Sequence, residues 1–435
     1  MTVVPARPWR RAAGWLLLLG PFFFLSYGAA TWVTTLRDHV GSVVFAWEQQ
    51  IPFVPWTIIP YWSIDVLYGI SLFLCTTERE LGVHARRLLT AQVVAVSCFI
   101  LAPLRFTFVR PPVDGVAGTL FDALSRFDKP FNQAPSLHIA LLVILWDRFA
   151  RHTSGQARWI VHGWFALIGL SVLTTWQHHF FDLPTGALLG FACLWAWPEC
   201  APSPLATAHL TTDRRRWFLA GFYAAGSAAL VAFAAAVGGM WLWWLWPAVS
   251  LGLVAGNYAL FGVAGFQKAA DGQMSLAARF LLAPYIAAAW INSRLWTRAE
   301  PAWVSIGDGV LLGRIPSRGT PTAWVAMLDL CAELPRSRGV AAYQAVPMLD
   351  LVAPAPEQLR LAAEMIERHR AAGPLLVCCA LGYGRSAAAV VAWLLSTGRA
   401  SDIDAAIRYV RHVRTRIVLN GETSAAIVAA VGVRR

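Results

Sequence analysis

Residues 1–300 are dominated by apolar runs, at roughly 12–34, 55–76, 88–105, 136–149, 158–178, 183–199, 217–237 and 241–263. Most approach the ~20 residues that cross the hydrocarbon of a bilayer. They predict a polytopic α-helical membrane bundle of about eight spans over 12–265, with its polar motifs in a core at 88–200. The fourth run is short and opens on Ser136 and His138, as expected of a helix starting in a polar cavity. Phe280–Ile291 is a run of only about a dozen residues and contains Pro284, which predicts a re-entrant or interfacial stretch. It falls within an interfacial linker at 266–300, and a ninth span is the alternative.

From 301 the period changes. Trp303–Ile306, Val310–Arg314, Val325–Leu330 and Tyr343–Leu349 read as strands, and Leu375–Cys378 as a buried one. Pro356–Ala371 is an amphipathic helix, with Leu359, Ala362 and Ile366 on its apolar stripe and Glu357, Arg360 and Glu367 on its wet face. Ser386–Ser396, Asp402–Val413 with Ser401 as N-cap, and Glu422–Val431 read as helices. Residues 301–435 are therefore expected to form a soluble α/β domain, a sandwich around a short sheet.

Composition agrees with this division. The chain is 57% hydrophobic and 14% charged, against about a quarter charged in soluble domains. Its net charge of +12 comes almost wholly from arginine, since lysine occurs only at 129 and 268. An excess of this kind suits anionic lipid headgroups, and no aromatic-basic module points to nucleic acid. Arg7, Arg10 and Arg11, the loops with Arg79, Arg86 and Arg87 and with Arg148, Arg151 and Arg158, and Arg214–Arg216 all fall on one side. The positive-inside rule makes that side cytoplasmic. Loops 106–135 and 178–182 then face outward, and eight spans leave the C-terminal domain in the cytoplasm of a bacterial inner-membrane protein. No small-residue cleavage site follows the N-terminal arginines, so the first helix is expected to be retained. Tryptophans 241, 243, 244 and 246 form an interfacial belt. Residues 217–263 otherwise carry no ionisable side chain with an evident role, and packing or lipid contact accounts for them.

The seven cysteines, at 75, 98, 193, 200, 331, 378 and 379, have no zinc-type CxxC spacing, and no metal or cofactor is expected. Cys379 stands apart. A buried strand delivers it to Cys379-Ala-Leu-Gly382-Tyr-Gly384-Arg385-Ser386, at the start of a helix. Glycines let backbone N–H groups converge on a phosphoryl group, and the helix N-terminus adds positive potential. The same field favours the thiolate. Arg385 can bind two phosphoryl oxygens at once, and Ser386 can hydrogen-bond the sulfur. A functional thiol of this kind prefers a reducing compartment.

This loop, Asp308-Gly-Val-Leu-Leu-Gly and Val346-Pro-Met-Leu-Asp350 resemble the dual-specificity branch of the protein-tyrosine phosphatase superfamily over about 301–430. The resemblance implies Cys379 as nucleophile and Asp350 as the general acid that protonates the leaving alkoxide. Asp329 is the competing carboxylate, with a structural role the expectation. Cys378 stands where the family usually has His. A redox brake between neighbouring thiols is one reading, and a small buried strand residue is the preferred one.

The membrane half has its own chemistry. Arg105 with Arg110-Pro-Pro, Pro135-Ser136-Leu-His138 and His178-His179-Phe-Phe-Asp182 all map to the outward face. His178 and Asp182 share a face if the helix continues through them. A carboxylate-held imidazole can take a phosphoryl group, a second imidazole can protonate the leaving oxygen, and guanidinium forks can bind phosphoryl oxygens.

Pro-Ser-x-His and His-x3-Asp resemble the type-2 phosphatidic acid phosphatase superfamily over about 20–200. Pro-Ser-Leu-His and Ser171-Val-Leu-Thr-Thr look closer to its inositol phosphorylceramide synthase-like branch. The resemblance implies His178 as nucleophile, with His179 the alternative, Asp182 as its orienting partner and His138 as general acid. Arg110 and Ser136 would hold the phosphoryl group. The usual Lys ahead of the Arg-Pro pair is missing, with Arg105 its substitute, and Val172 replaces an Arg that phosphatase members carry. A weaker cationic clamp favours transfer to another alcohol over hydrolysis.

The combined expectation is a bifunctional membrane phospholipid-metabolic enzyme. A His-dependent lipid phosphoryl or headgroup transferase or phosphatase is joined to a Cys-dependent phosphomonoester phosphatase acting on a lipid headgroup. The alternative is a membrane-anchored protein-tyrosine or dual-specificity phosphatase with a lipid-sensing bundle.

Overall fold

The computed structural model describes residues 7–317, 319–320, 322–336 and 342–432. The chain divides into two compact units, Met1–Ser203 with Phe233–Trp243, and Pro204–Ala232 with Trp244–Arg435.

The first unit is helical: α1 (Trp9–Thr35), α2 (Ile58–Leu74), α3 (Glu78–Leu101), α4 (Gly115–Phe127), α5 (Leu137–Arg151), α6 (Gly155–Thr174) and α7 (Asp182–Ala196). Its core is aliphatic and alanine-rich, with Ala30, Ile58, Leu72, Ala85, Ala91 and Ile144 fully buried. Helix α5 packs on α2, α3, α6 and α7. The approach of α7 to α5 depends on two glycines. A Cβ on Gly186 would lie 2.5 Å from the Ser136 carbonyl oxygen, and one on Gly190 would lie 2.7 Å from Val143 Cβ. Ser136 is the N-cap of α5, where its hydroxyl accepts from the Ile139 N–H.

Each of the eight expected apolar runs contains a helix, but among the described residues six segments are long and apolar enough to cross a membrane. These are Trp9–Thr35, Pro55–Leu74, Glu78–Leu101, Gly155–Thr174, Arg214–Val237 and Gly239–Phe266. The expected count of eight is corrected because α5 and α7 have only 15 residues each, below the usual spanning length. Loop 106–135 also contains a helix, α4. Arg87 and Arg148, taken as loop arginines, are buried in an ion-pair network instead. Arg87 pairs with Asp147 at 3.1 Å, and Arg148 pairs with Glu80 and Glu199.

The second unit opens with α8 (Arg214–Val237), whose last turn belongs to the first unit, and α9 (Leu245–Gly256). Helix α9 continues through a π turn at Asn257–Phe261 and a 3₁₀ turn at Gly262–Phe266. Two short helices follow, α10 (Leu276–Leu281) and α11 (Ala283–Trp296). The sheet comprises β1 (Trp303–Gly307), β2 (Val310–Arg314), β3 (Ala326–Cys331), β4 (Ala342–Met348) and β5 (Leu375–Cys379) in the order β1-β2-β5-β3-β4. Only β1 and β2 pair antiparallel; the other pairings are parallel. Four helices complete the unit: α12 (Pro356–Arg370), α13 (Arg385–Ser396), α14 (Ile403–Val413) and α15 (Gly421–Gly432).

Central strand β5 is buried on both faces, which is why it reads as a continuous apolar run. Val377 and Cys379 face the core under α12 and α13, whereas Leu376 and Cys378 join Leu311, Trp324 and Met327 on the other face. The expected α/β domain is present, with most strand and helix bounds within a residue or two. One cap differs: Asp402, not Ser401, accepts from Ala405 N–H and starts α14.

The expected linker at 266–300 is structured and packs onto this domain. Lys268, fully buried, donates to Asp329 at 2.5 Å and to the carbonyls of Cys331 and Leu334. Ala345 N–H on edge strand β4 donates to the Ala270 carbonyl, which covers an edge otherwise open to pairing.

Candidate active site

Strand β5 ends on Cys379 and the chain turns at once into α13, so the loop 379–385 sits at the carboxyl edge of a parallel sheet, where α/β folds bind ligands. The Gly382 N–H donates to Cys379 Sγ at 3.2 Å, and Ser386 Oγ lies 3.3 Å from the same sulfur. Gly382 has φ +76°, and a Cβ there would stand 2.5 Å from the carbonyl carbon of Gly313. Only glycine fits that turn. Gly384, at φ −106°, is the N-cap residue of α13.

Arg385 is 4% exposed and held on three sides. Glu333 binds its two terminal nitrogens at 2.7 and 2.6 Å, the Met348 carbonyl accepts at 3.0 Å, and Asp350 lies at 3.1 Å. Its Nε is buried without a protein partner. Such a fork is fixed before any ligand arrives. A third of the Asp350 side chain stays accessible (32%). Burial nonetheless pushes its pKa above the ordinary carboxyl value, Arg385 pulls it down and Glu333 pushes it up again. The net rise is what a general acid requires, because it must hold its proton near neutral pH.

Asp329 has no such freedom. It is fully buried and bound by Lys268, Tyr343 Oη, and both N–H and Sγ of Cys331. Its four partners give it the structural role expected of it. Cys378 is likewise buried, and burial drives its thiol pKa well up. Alternation along β5 sends it to the sheet face opposite Cys379.

Residues 326–429 match the family described as dual specificity phosphatase, catalytic domain. They form a dual-specificity phosphatase catalytic domain.

Solved structures similar to the chain include Tk-PTP in the active form, at 28% identity over 31% of this chain and 99% of that one, with TM-score 0.27. PTPMT1 in complex with PI(5)P is 16% identical over 30% of this chain and 95% of that one, with TM-score 0.26. Human DUSP28 is 23% identical over 31% and 95%, also with TM-score 0.26. No curated protein matches the chain.

The phosphatase loop is braced by residues that sequence reasoning passed over. Ser293 on α11 donates to the Ala380 carbonyl at 2.5 Å, and buried Arg414 donates to that of Leu381 at 3.2 Å. Glu333 follows β3 in the Cys331-Ala-Glu turn, where Asp329 alone drew notice. The usable signal was physical: a buried arginine needs a buried carboxylate.

In the helical unit, His178 Nδ1 lies 3.1 Å from Asp182 Oδ2, and its Nε2 lies 3.3 Å from Ser136 Oγ. The pair forms differently from expectation. Helix α6 ends at Thr174, and His178 sits in the turn leading to α7, which begins at Asp182. The backbone joins in, with Ser136 N–H donating to the Asp182 carbonyl. His179 has both ring nitrogens engaged, Nδ1 with Glu48 at 2.9 Å and Nε2 with Thr107.

A cavity of about 230 Å³ is lined by His138 and His178 together with Tyr61, Asp65, Asp128 and Asn132. His138 stacks on Tyr61 at 4.2 Å, and its buried Nε2 has no protein partner. Arg110 is outside that lining; it donates to Ser125 at 2.9 Å and lies over the Phe121 ring. Arg105 is exposed and also outside it. His138, His178, Asp182 and Ser136 are thus gathered, and the two arginines are not joined to them. Among the described residues no group of three or more His, Cys, Asp or Glu could hold a metal ion.

Proposed function

We propose that this chain is an integral membrane enzyme whose phosphatase domain removes a phosphomonoester from a lipid headgroup. One observation carries the reading: the unit that holds Cys379 also holds most of two apolar segments of spanning length, Arg214–Val237 and Gly239–Phe266. A catalytic loop built into the same compact unit as such helices works beside a bilayer, where the abundant phosphomonoesters are lipids.

The chemistry runs in two displacements. The Cys379 thiolate attacks phosphorus and the S–P bond forms as the P–O bond to the headgroup breaks. Asp350 gives its proton to the departing oxygen, while Arg385 Nε and the loop N–H groups bind the non-bridging oxygens. Asp350, now a carboxylate, takes a proton from water, which attacks phosphorus. The sulfur leaves as thiolate, stabilised by Ser386 and the Gly382 N–H.

The helical unit is, in this proposal, a lipid phosphoryl or headgroup transferase or phosphatase with His178 as nucleophile, Asp182 orienting it and His138 protonating the leaving oxygen. The gathering of these three side chains with Ser136 supports the reading, and so does the cavity, which His178 lines and His179 does not. The proposed location is a bacterial inner membrane, with this site outward and the phosphatase domain cytoplasmic.

Lipid extracts of cells expressing wild type, His178→Ala and Cys379→Ser test both halves. A phosphomonoester lipid accumulating only in the Cys379→Ser cells supports the phosphatase half. Loss of a phospholipid in the His178→Ala cells supports the other half. Unchanged lipids in both variants, with phosphotyrosine peptides hydrolysed well, would favour a membrane-anchored protein phosphatase with a lipid-sensing bundle.

A further inference from the structure

The stretch bearing Asp350 follows β4 and turns sharply, with Leu351 at φ +60°, a costly conformation for a branched side chain. Such a turn persists only where its surroundings hold it. Two consecutive carbonyls of this turn are held from outside the phosphatase fold. Tyr258 Oη donates to the Asp350 carbonyl at 3.0 Å, and Arg215 Nε donates to that of Leu351 at 3.4 Å.

Both donors come from the apolar helical segments. Tyr258 lies in the π turn that prolongs α9 and is 1% exposed. Its ring stacks on Tyr223 of α8, with centroids 5.6 Å apart and planes 16° from parallel. Arg216, next to Arg215 on α8, donates to the Tyr258 carbonyl at 2.9 Å and to that of Asn257 at 3.4 Å. The tyrosine is therefore fixed in ring, backbone and hydroxyl, and the π turn is what aims it; such turns often mark functional places in a helix.

We propose that Tyr258 is a positioning residue for the general-acid loop, with Arg215 as its second support, so that α8 and α9 set where Asp350 presents its proton. This rests on Asp350 being the general acid. The consequence is selective. A general acid matters for a leaving group that needs a proton, such as phenolate or an alkoxide, and little for p-nitrophenolate, which leaves unaided.

The test compares phenyl phosphate with p-nitrophenyl phosphate, using full-length protein in lipid nanodiscs. Tyr258→Phe keeps the stacked ring and deletes only the hydroxyl. Its kcat/KM on phenyl phosphate, which reports the first displacement alone, is expected to fall about tenfold, the worth of one well-made buried hydrogen bond, while kcat/KM on p-nitrophenyl phosphate changes by less than about twofold, because that leaving group needs no proton. The basic limb of the phenyl phosphate pH profile flattens. Arg215→Gln, at an exposed site that tolerates change, shows the same selectivity to a smaller degree.

Asp350→Asn is the reference, and adding Tyr258→Phe to it costs nothing further. Equal losses on both substrates in Tyr258→Phe, or none on either, overturn the role of Tyr258 where Asp350→Asn is selective. Should Asp350→Asn itself lack selectivity, the acid assignment falls and takes this proposal with it.

Discussion

Glu333 meets Arg385 end-on, its two carboxylate oxygens 2.6 and 2.7 Å from the two terminal nitrogens of the guanidinium. Both side chains are nearly inaccessible, at 3% and 4%. This leaves Nε of Arg385 buried without a protein partner and locks the plane in which it points.

Glu333→Gln keeps the shape of that contact and removes its charge. One amide oxygen still accepts, but the NH2 group faces a donor. Loss of a charge-assisted bond of this type costs about 1.5–3 kcal/mol, so kcat/KM on p-nitrophenyl phosphate should fall about 10- to 100-fold. Inhibition by orthovanadate should weaken in parallel, because the same guanidinium, through Nε, is proposed to bind it. Unchanged vanadate affinity would show that Glu333 does not orient Arg385.

The pH profile follows from Asp350. Its pKa is raised by burial, against the pull of Arg385, so the neutral acid survives to higher pH than an ordinary carboxyl would. With phenyl phosphate as substrate, kcat/KM should decline on the basic side as pH rises through that raised value and the proton is lost. Asp350→Asn should remove this limb and leave the acidic limb in place. A basic limb surviving in Asp350→Asn would assign it to another group.

Much of the phosphatase domain was legible because its signals are local. Alternating strands, the apolar stripe of α12 and the Cys379–Ser386 stretch each declare themselves within a few residues. Contacts that depend on tertiary approach were not. Nothing near Tyr258 marks it as a neighbour of Asp350, since ninety residues and a sheet intervene, and an apolar run around it reads as lipid contact. The packing of the linker was hidden for the same reason: nothing in the sequence places Asp329 beneath Lys268. In the helical unit, residue types identified the cluster, but the hinge between α6 and α7 makes the His178–Asp182 contact, where helical periodicity suggested a continuous face.

Adjacent thiols offer a direct check on strand alternation. Cys378 is buried with its thiol pKa driven well up, whereas Cys379 points into the catalytic loop. Iodoacetamide at neutral pH should alkylate Cys379 and leave Cys378 unmodified by peptide mass spectrometry, and bound phosphate should protect the former. Cys378→Ala should retain activity within about threefold, a small volume change in a packed core. Peroxide should yield no bond between the two, because they face opposite sides of the sheet. A 378–379 disulfide in the oxidised protein would restore the redox-brake reading.

His178 and His179 are neighbours with opposite commitments, and this separates them by experiment. His179 spends Nδ1 on Glu48 and Nε2 on Thr107. His178 spends Nδ1 on Asp182 and turns Nε2 toward Ser136 in the cavity that His138 shares. A phosphohistidine can therefore form on His178 Nε2, which faces the cavity, while Asp182 keeps its hold on Nδ1; Nε2 of His179 is instead taken up by Thr107, away from that cavity. Protein incubated with a phosphate-labelled lipid and quenched in alkali should carry label at 178, lost in His178→Ala and retained in His179→Asn. Asp182→Asn should slow turnover about 10³- to 10⁴-fold, since the amide cannot stabilise the positive charge that develops on the ring as Nε2 takes the phosphoryl group. Its effect should appear in kcat more than in KM, because the carboxylate acts on the imidazole and not on the lipid. Label persisting in His178→Ala would move the nucleophile elsewhere and leave this pair as a helix-joining contact.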